Sequence, residues 1–483
     1  MKIIQEHRTS NIESRNAGPN AGLRFGPFDV PRSVPHCGIR CSQCQRGSVL
    51  ILVLWMAIGL VAIALYFAHS MTFELRASDN RATGLAAEQA IEGAARYVGN
   101  VLLNYATNGA VPLTTEYACE AVPVGDARFW LIGRDPAGLP SANPSFGLVD
   151  EASKLNLNRA GTNALFYLPN MTVDLSDAIV DWRNTNSAGL YSMNYASLGY
   201  AGKSYPFETV DELRLVYGAT MDILVGEDVN RNGVLDVNEK DLNGNGTLDP
   251  GLFEYVTVYS RQPNFLSDGI TLNLLTNVNN QATLGALLRS TFGPSRASQI
   301  TNRIGSVAGS TPLRNLLQFY LASGMSSSDF GQIAFGITDS TNLYTNGLLN
   351  INTASAPVMT ALFMGLGVDQ STAQGAAQTL VTYRQQNPNN LGAISWIVDA
   401  LGNTSPVIQT LVNASRDYLT TQSFQYTADI AAVGPFGRGY RRVKFVFDIS
   451  EGAPKIIYRQ DLSRLGWALG EKARVTWVAR QTP

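Results

Sequence analysis

From Ser48 to Ala68 the chain reads SVLILVLWMAIGLVAIALYFA, 21 residues without a charged side chain. An apolar helix of about 20 residues, rising 1.5 Å per residue, matches the hydrocarbon thickness of a bilayer. Core helices of soluble domains seldom stay apolar on every face for that length. The run therefore predicts one membrane-spanning helix. Its flanks orient it, because the first 47 residues hold seven Lys or Arg and only three acids. Basic flanks stay in the cytoplasm, so the body after Ala68 is predicted to be translocated.

An ordinary secretory signal has its small-residue cleavage site beyond the apolar region. Here the candidate precedes it, at Gln45-Arg46-Gly47-Ser48. That arrangement resembles the prepilin type, in which a membrane-embedded prepilin peptidase cuts after glycine on the cytoplasmic side. The resemblance implies cleavage between Gly47 and Ser48, N-methylation of Ser48 and retention of the apolar helix. Beyond the membrane the pattern continues without proline, and Ala82, Ala86, Ala90 and Ala94 recur every fourth residue. Such a stripe predicts a helix on which a sheet or another helix packs closely.

Composition narrows the function. Charged residues are 15% of the 483, with a net charge of −2 and no basic run, so the electrostatic footprint of a nucleic-acid binder is missing. The three histidines, His7, His36 and His69, all fall in the leader or membrane segment, which leaves the body without a histidine general base. Nor does a phosphate-binding glycine loop with its lysine follow a strand, and the expectation is a non-enzyme. Cys37, Cys41 and Cys44 have the spacing of an iron–sulfur motif. They end just before the proposed cut and are read as incidental residues of a discarded leader, leaving Cys119 alone in the mature chain.

Two distant stretches repeat each other. Lys154-Leu-Asn-Leu-Asn-Arg-Ala160 leads through Leu168-Pro169 to Ala178-Ile-Val-Asp-Trp-Arg183; Leu348-Leu-Asn-Ile-Asn-Thr-Ala354 leads through Gly365-Leu-Gly367 to Thr379-Leu-Val-Thr-Tyr-Arg384. Each predicts a short helix, a tight turn and a second helix. Asn158 and Asn352 are placed to cap the first helix, and Gly367 can supply a backbone conformation other residues resist. The pattern resembles the helix-hairpin-helix module. Phosphate gripping by that module needs exposed hairpin N–H groups beside Lys or Arg. Leu168-Pro169-Asn170-Met171 lacks glycine and Val368-Asp369-Gln370 is acidic, so a structural role is preferred. Phe207 to Leu213 is a further candidate helix. Strands are expected at Arg128–Ile132, Ser423–Asp429, Arg442–Asp448, Ile456–Tyr458 and Val475–Val478, with a turn at Gly434–Gly439. Another is expected over Phe253–Tyr259.

The sharpest local motif is a twelve-residue calcium loop. Asp228, Asn230, Asn232 and Asp236 fill positions 1, 3, 5 and 9, Gly233 sits at 6, the Val234 carbonyl at 7 and Glu239 at 12. Ca²⁺ takes six to eight hard oxygens, and glycine at position 6 permits the turn that gathers them. A second loop follows thirteen residues on, with Asp241, Asn243, Asn245, Thr247 and Asp249 at positions 1, 3, 5, 7 and 9, but Leu252 at 12. Glu254 or a residue elsewhere has to complete it. The loops lie too close together for full flanking helices, which points to a structural clamp.

Arg46-Gly47-Ser48, Asp150-Glu151 with Lys154 to Asn158, Ile179-Val-Asp-Trp-Arg183, Phe207 to Leu213 and Asn350 to Ala354 together resemble the K-type minor pseudopilins of type II secretion systems. The resemblance implies an α+β fold: a pilin-like long N-terminal helix packed on an antiparallel sheet, with a large, mainly helical domain inserted. On that reading residues 1–47 are the leader, 48–68 the transmembrane part, and 69–150 the helix continuation and first part of the pilin-like domain. Residues 151–420 are the inserted domain, with calcium loops at 228–249, and 421–483 are the C-terminal sheet. The family further implies a place at the tip of a pseudopilus, partnership with I- and J-type minor pseudopilins and the major pseudopilin, and a single-pass inner-membrane anchor with a periplasmic body. A membrane-anchored DNA-binding or DNA-uptake protein is the alternative. Leu52, fifth residue after the cut, stands where most pilin-like subunits carry a glutamate.

Overall fold

The computed structural model describes residues 47–135, 143–185, 189–266, 272–275, 284–308, 313–470 and 473. The leader cysteines and the expected strand Val475–Val478 lie outside them. The chain divides into two units, residues 1–73 and 74–483. In the first, the described residues belong to the helix Gly47–Leu103. Its apolar stretch is unburied, with side chains such as Leu50, Trp55, Leu60 and Leu65 more than half exposed. It is the one helix among the described residues long and apolar enough to cross a membrane.

In the second unit the rest of this helix lies on an antiparallel sheet. Ala87, Ala90, Ile91, Ala94, Ala95, Val98 and Leu102 are buried there. Steps of three and four residues alternate along that face, as 3.6 residues per turn require. The expected every-fourth stripe is corrected at its start: Ala82 is exposed and Ala86 half-buried. Four-residue steps drift about 40° each around the helix, so a strict stripe leaves the packed face. Closeness is greatest near Thr83, where a Cβ on Gly434 or Gly439 would sit 2.4 Å from the Thr83 carbonyl oxygen. The hairpin turn at 434–439 can touch the helix backbone only because those positions are glycine.

The sheet runs Val122–Val124, Ala127–Ile132, Gln425–Val433, Arg441–Asp448, Lys455–Asp461, every pair antiparallel. Four of the expected strands are present: Arg128–Ile132 and Arg442–Asp448 each gain one residue at the start, Ile456–Tyr458 extends to Lys455–Asp461, and Ser423–Asp429 is shifted to Gln425–Val433. Ala127–Ile132 and Gln425–Val433 are hydrogen-bonded neighbours although nearly 300 residues separate them in sequence. The short strand Val149–Asp150 also pairs with Gln425–Val433, so the intervening chain leaves the sheet at Asp150 and returns to the same strand. A long apolar helix, an antiparallel sheet and further helices make this an α+β, pilin-like fold.

The intervening chain has its own apolar core, centred on Leu157, Leu165, Ile179, Leu213, Phe319, Phe363, Leu380 and Trp396. Both repeated stretches open with a two-residue parallel strand: Leu155–Asn156 on Val256–Thr257, and Leu349–Asn350 on Leu419–Thr420. Helices Thr162–Phe166 and Val173–Trp182 follow the first, Ala356–Gly365 and Gln370–Gln386 the second. In each copy the closing arginine turns back onto its opening segment. Arg183 donates to the carbonyls of Leu157 and Ala160, and Arg384 to those of Ile351 and Ala354. The turns match too, since Asn170 and Gly367 both take positive φ, 58° and 98°.

Three local expectations are corrected. Asn158 and Asn352 do not cap the helices, which begin after Gly161 and Ser355. The Asn158 amide instead pairs with both backbone groups of Phe207, and Asn352 binds the Leu391 carbonyl and the Trp396 indole. A half-buried asparagine that can satisfy distant backbone is worth more there than at a cap. Phe253–Tyr259 is a 3₁₀ turn, Leu252–Glu254, followed by only two strand residues, because its partner Leu155–Asn156 is equally short. Phe207–Leu213 becomes a 3₁₀ helix, Val210–Leu215, closed by a capping box between Thr209 and Glu212.

Ala94→Leu should cost about 1–3 kcal/mol by overpacking the helix–sheet contact, whereas Ala82→Leu, on the exposed side, should stay within about 0.5 kcal/mol. Denaturant unfolding of the detergent-solubilised chain measures both.

Candidate metal centre

The two Asn- and Asp-rich loops fold alike at most of their positions. Their residues 4 and 6 take left-handed backbone: Arg231 and Gly233 in the first, Gly244 and Gly246 in the second, with φ between 60° and 82°. In the first loop the Asp228 carboxylate accepts the N–H groups of Asn232 (2.9 Å) and Gly233 (2.8 Å). In the second, Asp241 accepts those of Gly244 (2.6 Å) and Gly246 (2.7 Å). The Asn230 and Asn243 side-chain oxygens accept the N–H two residues on, as do those of Asn232 and Asn245. Asp236 receives the amide groups of Asn230 and Asn232, and Asp249 those of Asn243 and Asn245.

The twelfth position decides how complete each loop is. In the first, Glu239 accepts the N–H of Asn230 and of Asp236, both at 3.0 Å. In the second, the matching carboxylate belongs to Glu227, which accepts the N–H of Leu242 at 2.6 Å and of Asp249 at 2.9 Å. Glu254, the sequence candidate, is instead held by Arg134 at 2.8 Å. Glu227 precedes the first loop, so a search running forward from Asp241 passes it by. The available signal was the acidic pair Glu227-Asp228, one acid more than a single loop needs.

The expected donor set is all oxygen: carboxylates, amide oxygens and the backbone carbonyls of Val234 and Thr247. Hard divalent cations select such a set. Among the described residues no three carboxylate, imidazole or thiol side chains form a ready-made cluster, and these loops draw as much on amides and carbonyls as on acids. Gly47 and Ser48, the expected processing residues, open the N-terminal helix.

The first loop is seated on the sheet. Arg442, fully buried, donates Nε and Nη2 to the Asp429 carboxylate at 2.9 and 2.6 Å. Its remaining donors reach the carbonyls of Asn230 and, at 2.9 Å, Arg231. Burial opposes the Arg442 charge, but the Asp429 carboxylate outweighs it and lifts the guanidinium above its ordinary value. Arg134 adds a bond to the Arg231 carbonyl at 3.1 Å. Burial pushes Asp228 up to about 6, against the downward pull of Arg134 and the Gly233 N–H. The second loop is largely exposed, and the Gly246 N–H holds Asp241 below the usual carboxylate range.

No family model and no curated protein matches the sequence. Among solved structures the chain is similar to one in the GspK-GspI-GspJ complex from the enterotoxigenic Escherichia coli type 2 secretion system, at 9% identity and a TM-score of 0.37, covering 77% of this chain and 96% of that one. Likeness at that level is too loose to fix a role.

Replacing Arg442 with Met should destabilise the body by about 3–5 kcal/mol, since it strands the Asp429 carboxylate in a buried site. The double change with Asp429→Leu should recover part of that loss, as a double-mutant cycle in denaturant would measure.

Proposed function

We propose that this chain is a K-type minor pseudopilin, anchored in the inner membrane with its body in the periplasm, that helps initiate a type II secretion pseudopilus from its tip. The observation that carries the reading is the helix Gly47–Leu103, apolar and unburied over its first half and buried against an antiparallel sheet over its second. An anchor needs only the first half. A subunit that stacks with its neighbours through the same helix needs both.

Leu52 supports a tip position. A carboxylate at the fifth residue pairs with the N-terminal amine of an adjoining subunit and offsets the burial of charge in an apolar filament. Leucine offers no such partner, so this subunit fits poorly beneath another and well above the rest. Its natural partners are then the I- and J-type minor pseudopilins, with the major pseudopilin below. The DNA-binding alternative is disfavoured by the second hairpin: a Cβ on Gly365 would lie 2.6 Å from the Ala164 backbone, so that turn faces the other repeat.

Within this role the loops act as calcium clamps. Asp228, Asn230, Asn232, Asp236, Glu239 and the Val234 carbonyl would hold one ion. Asp241, Asn243, Asn245, Asp249 and the Thr247 carbonyl would hold a second, with Glu227 in place of the missing position-12 acid. The ion would tie together oxygens that in its absence are tied only by N–H groups.

Mass spectrometry of membrane-extracted protein should find a mature chain beginning at methylated Ser48; a chain still beginning at Met1 would sink the prepilin reading. Calcium at a hundredfold excess over its Kd should add about 2.7 kcal/mol per site to stability. Asp228→Ala with Glu239→Ala should remove one such increment, and Glu227→Ala the other, in thermal melts with and without chelator. Co-purification with the I- and J-type subunits checks the tip position independently of calcium.

A further inference from the structure

A pocket of about 330 Å³ opens between the two copies of the repeated helical module. Its walls carry two guanidinium groups, Arg159 and Arg416, and no carboxylate. Separate supports bring them there. The stem of Arg159 lies across Gly347, where φ is +75° and an added Cβ would meet the Arg159 Cβ at 2.4 Å. Arg416 packs over the Tyr418 ring, 4.7 Å from its centroid. Any side chain at 347 would displace the first arginine, and losing the Tyr418 ring would release the second.

Neither guanidinium has a hydrogen-bond or ion-pair partner among the described residues. Asp339, whose charge reaches Arg159, spends a carboxylate oxygen on the Asp417 backbone N–H at 2.9 Å. Burial and the neighbouring charge of Arg416 hold the Arg159 guanidinium below its ordinary value. Two like charges, Arg159 exposed and Arg416 half-buried, thus share one concavity with no carboxylate bonded to either among the described residues, and the nearby Asp339 charge offsets their repulsion only in part. Leu362 and Leu366 give the same pocket an apolar wall. Its size is that of a small-molecule site, and arginine's planar fork suits a carboxylate or phosphate better than a lysine would.

We propose that this pocket binds a small organic oxyanion, with Arg159 and Arg416 gripping its carboxylate or phosphate group and the leucine wall receiving its apolar body. An anion bound there replaces a repulsion with two charge-assisted hydrogen-bonded contacts. The inference stands on its own geometry and does not depend on the pseudopilin reading.

The test is isothermal titration of the full detergent-solubilised chain with inorganic phosphate and, separately, with butyrate, in chloride buffer. At least one probe should bind saturably with a Kd below about 10 mM, and the probe that binds identifies the group preferred. Arg159→Ala and Arg416→Ala should each weaken that binding at least about tenfold. Arg159→Lys should keep part of it, because stem and charge remain. Arg289→Ala, which does not line the pocket, should leave it unchanged. Melting in probe-free buffer should match wild type for the arginine variants, which separates lost binding from lost folding. Absence of saturable binding by both probes, or an equal loss in Arg289→Ala, overturns the proposal. Binding of duplex DNA through the same two arginines, with both small probes inert, overturns it in favour of a nucleic-acid contact.

Discussion

The strand Gln425–Val433 is buried along its whole length and on both faces, and much of the molecule follows from that. One face, Tyr426, Ala428, Ile430 and Ala432, meets the N-terminal helix and is apolar. The other carries Gln425, Thr427 and Asp429, polar groups that cannot be left unmatched away from water. Each has a partner. Gln425 donates to Asp448 at 2.8 Å and accepts the Arg261 N–H at 2.6 Å. Thr427 donates to Glu151 at 2.5 Å, and Asp429 takes the Arg442 fork. A polar face inside a core fixes the register of what covers it, because a slip by one residue would leave every partner stranded.

Asp150 and Glu151 show how the inserted chain is locked to that face. They stand where the backbone leaves the sheet, and both are buried. Asp150 accepts hydrogen bonds from Ala152, Ser423, Asn350 and Thr353, so one carboxylate joins the exit, the return and the opening of the second repeat. Burial lifts it to about 6 despite those four donors. Glu151 spans Thr257 and Thr427, and burial there is outweighed by Lys154, Lys444 and the two hydroxyls, leaving it below its usual value. Two adjacent acids thus have opposite electrostatic fates, decided by whether their partners are neutral or cationic. The insertion is attached through Asp150, the last residue of the sheet strand, and Glu151, its own first residue, more firmly than a flexible linker would allow.

Much of this was legible in the sequence, and what was not has a common cause. Periodicity located the long helix and the strands around Arg128–Ile132, Gln425–Val433 and Arg441–Asp448, because each buries a regular face. The turn geometry of the Asn- and Asp-rich loops was legible because their spacing is dictated by local backbone. Glu227, the Arg442 fork and the true roles of Asn158 and Asn352 were not, since each depends on a residue brought close only by the fold. Arg442 and Asn230 are over 200 residues apart, and no local rule pairs them. Glu254 was a reasonable candidate by sequence distance and was lost to Arg134, more than 100 residues upstream. Even the alanine stripe held at Ala90 and Ala94 and failed at Ala82 and Ala86, because a fourfold step only approximates 3.6.

The two loops also differ in what surrounds them, which matters for any cation they hold. The first is partly buried, and its Asn230 and Arg231 carbonyls are fixed by Arg442 and Arg134, so its backbone is held in place. Those same guanidiniums repel a dication and oppose its entry. The second loop is exposed, is free of such contacts among the described residues, and borrows its last carboxylate from Glu227, beside Asp228 in the chain. Rigidity favours the first loop and electrostatics the second. Because Glu227 and Asp228 are consecutive, ordering one loop restrains the other's key acid at the next peptide bond. The pair is therefore better understood as one mechanical unit, seated on Asp429 through Arg442, than as two independent sites.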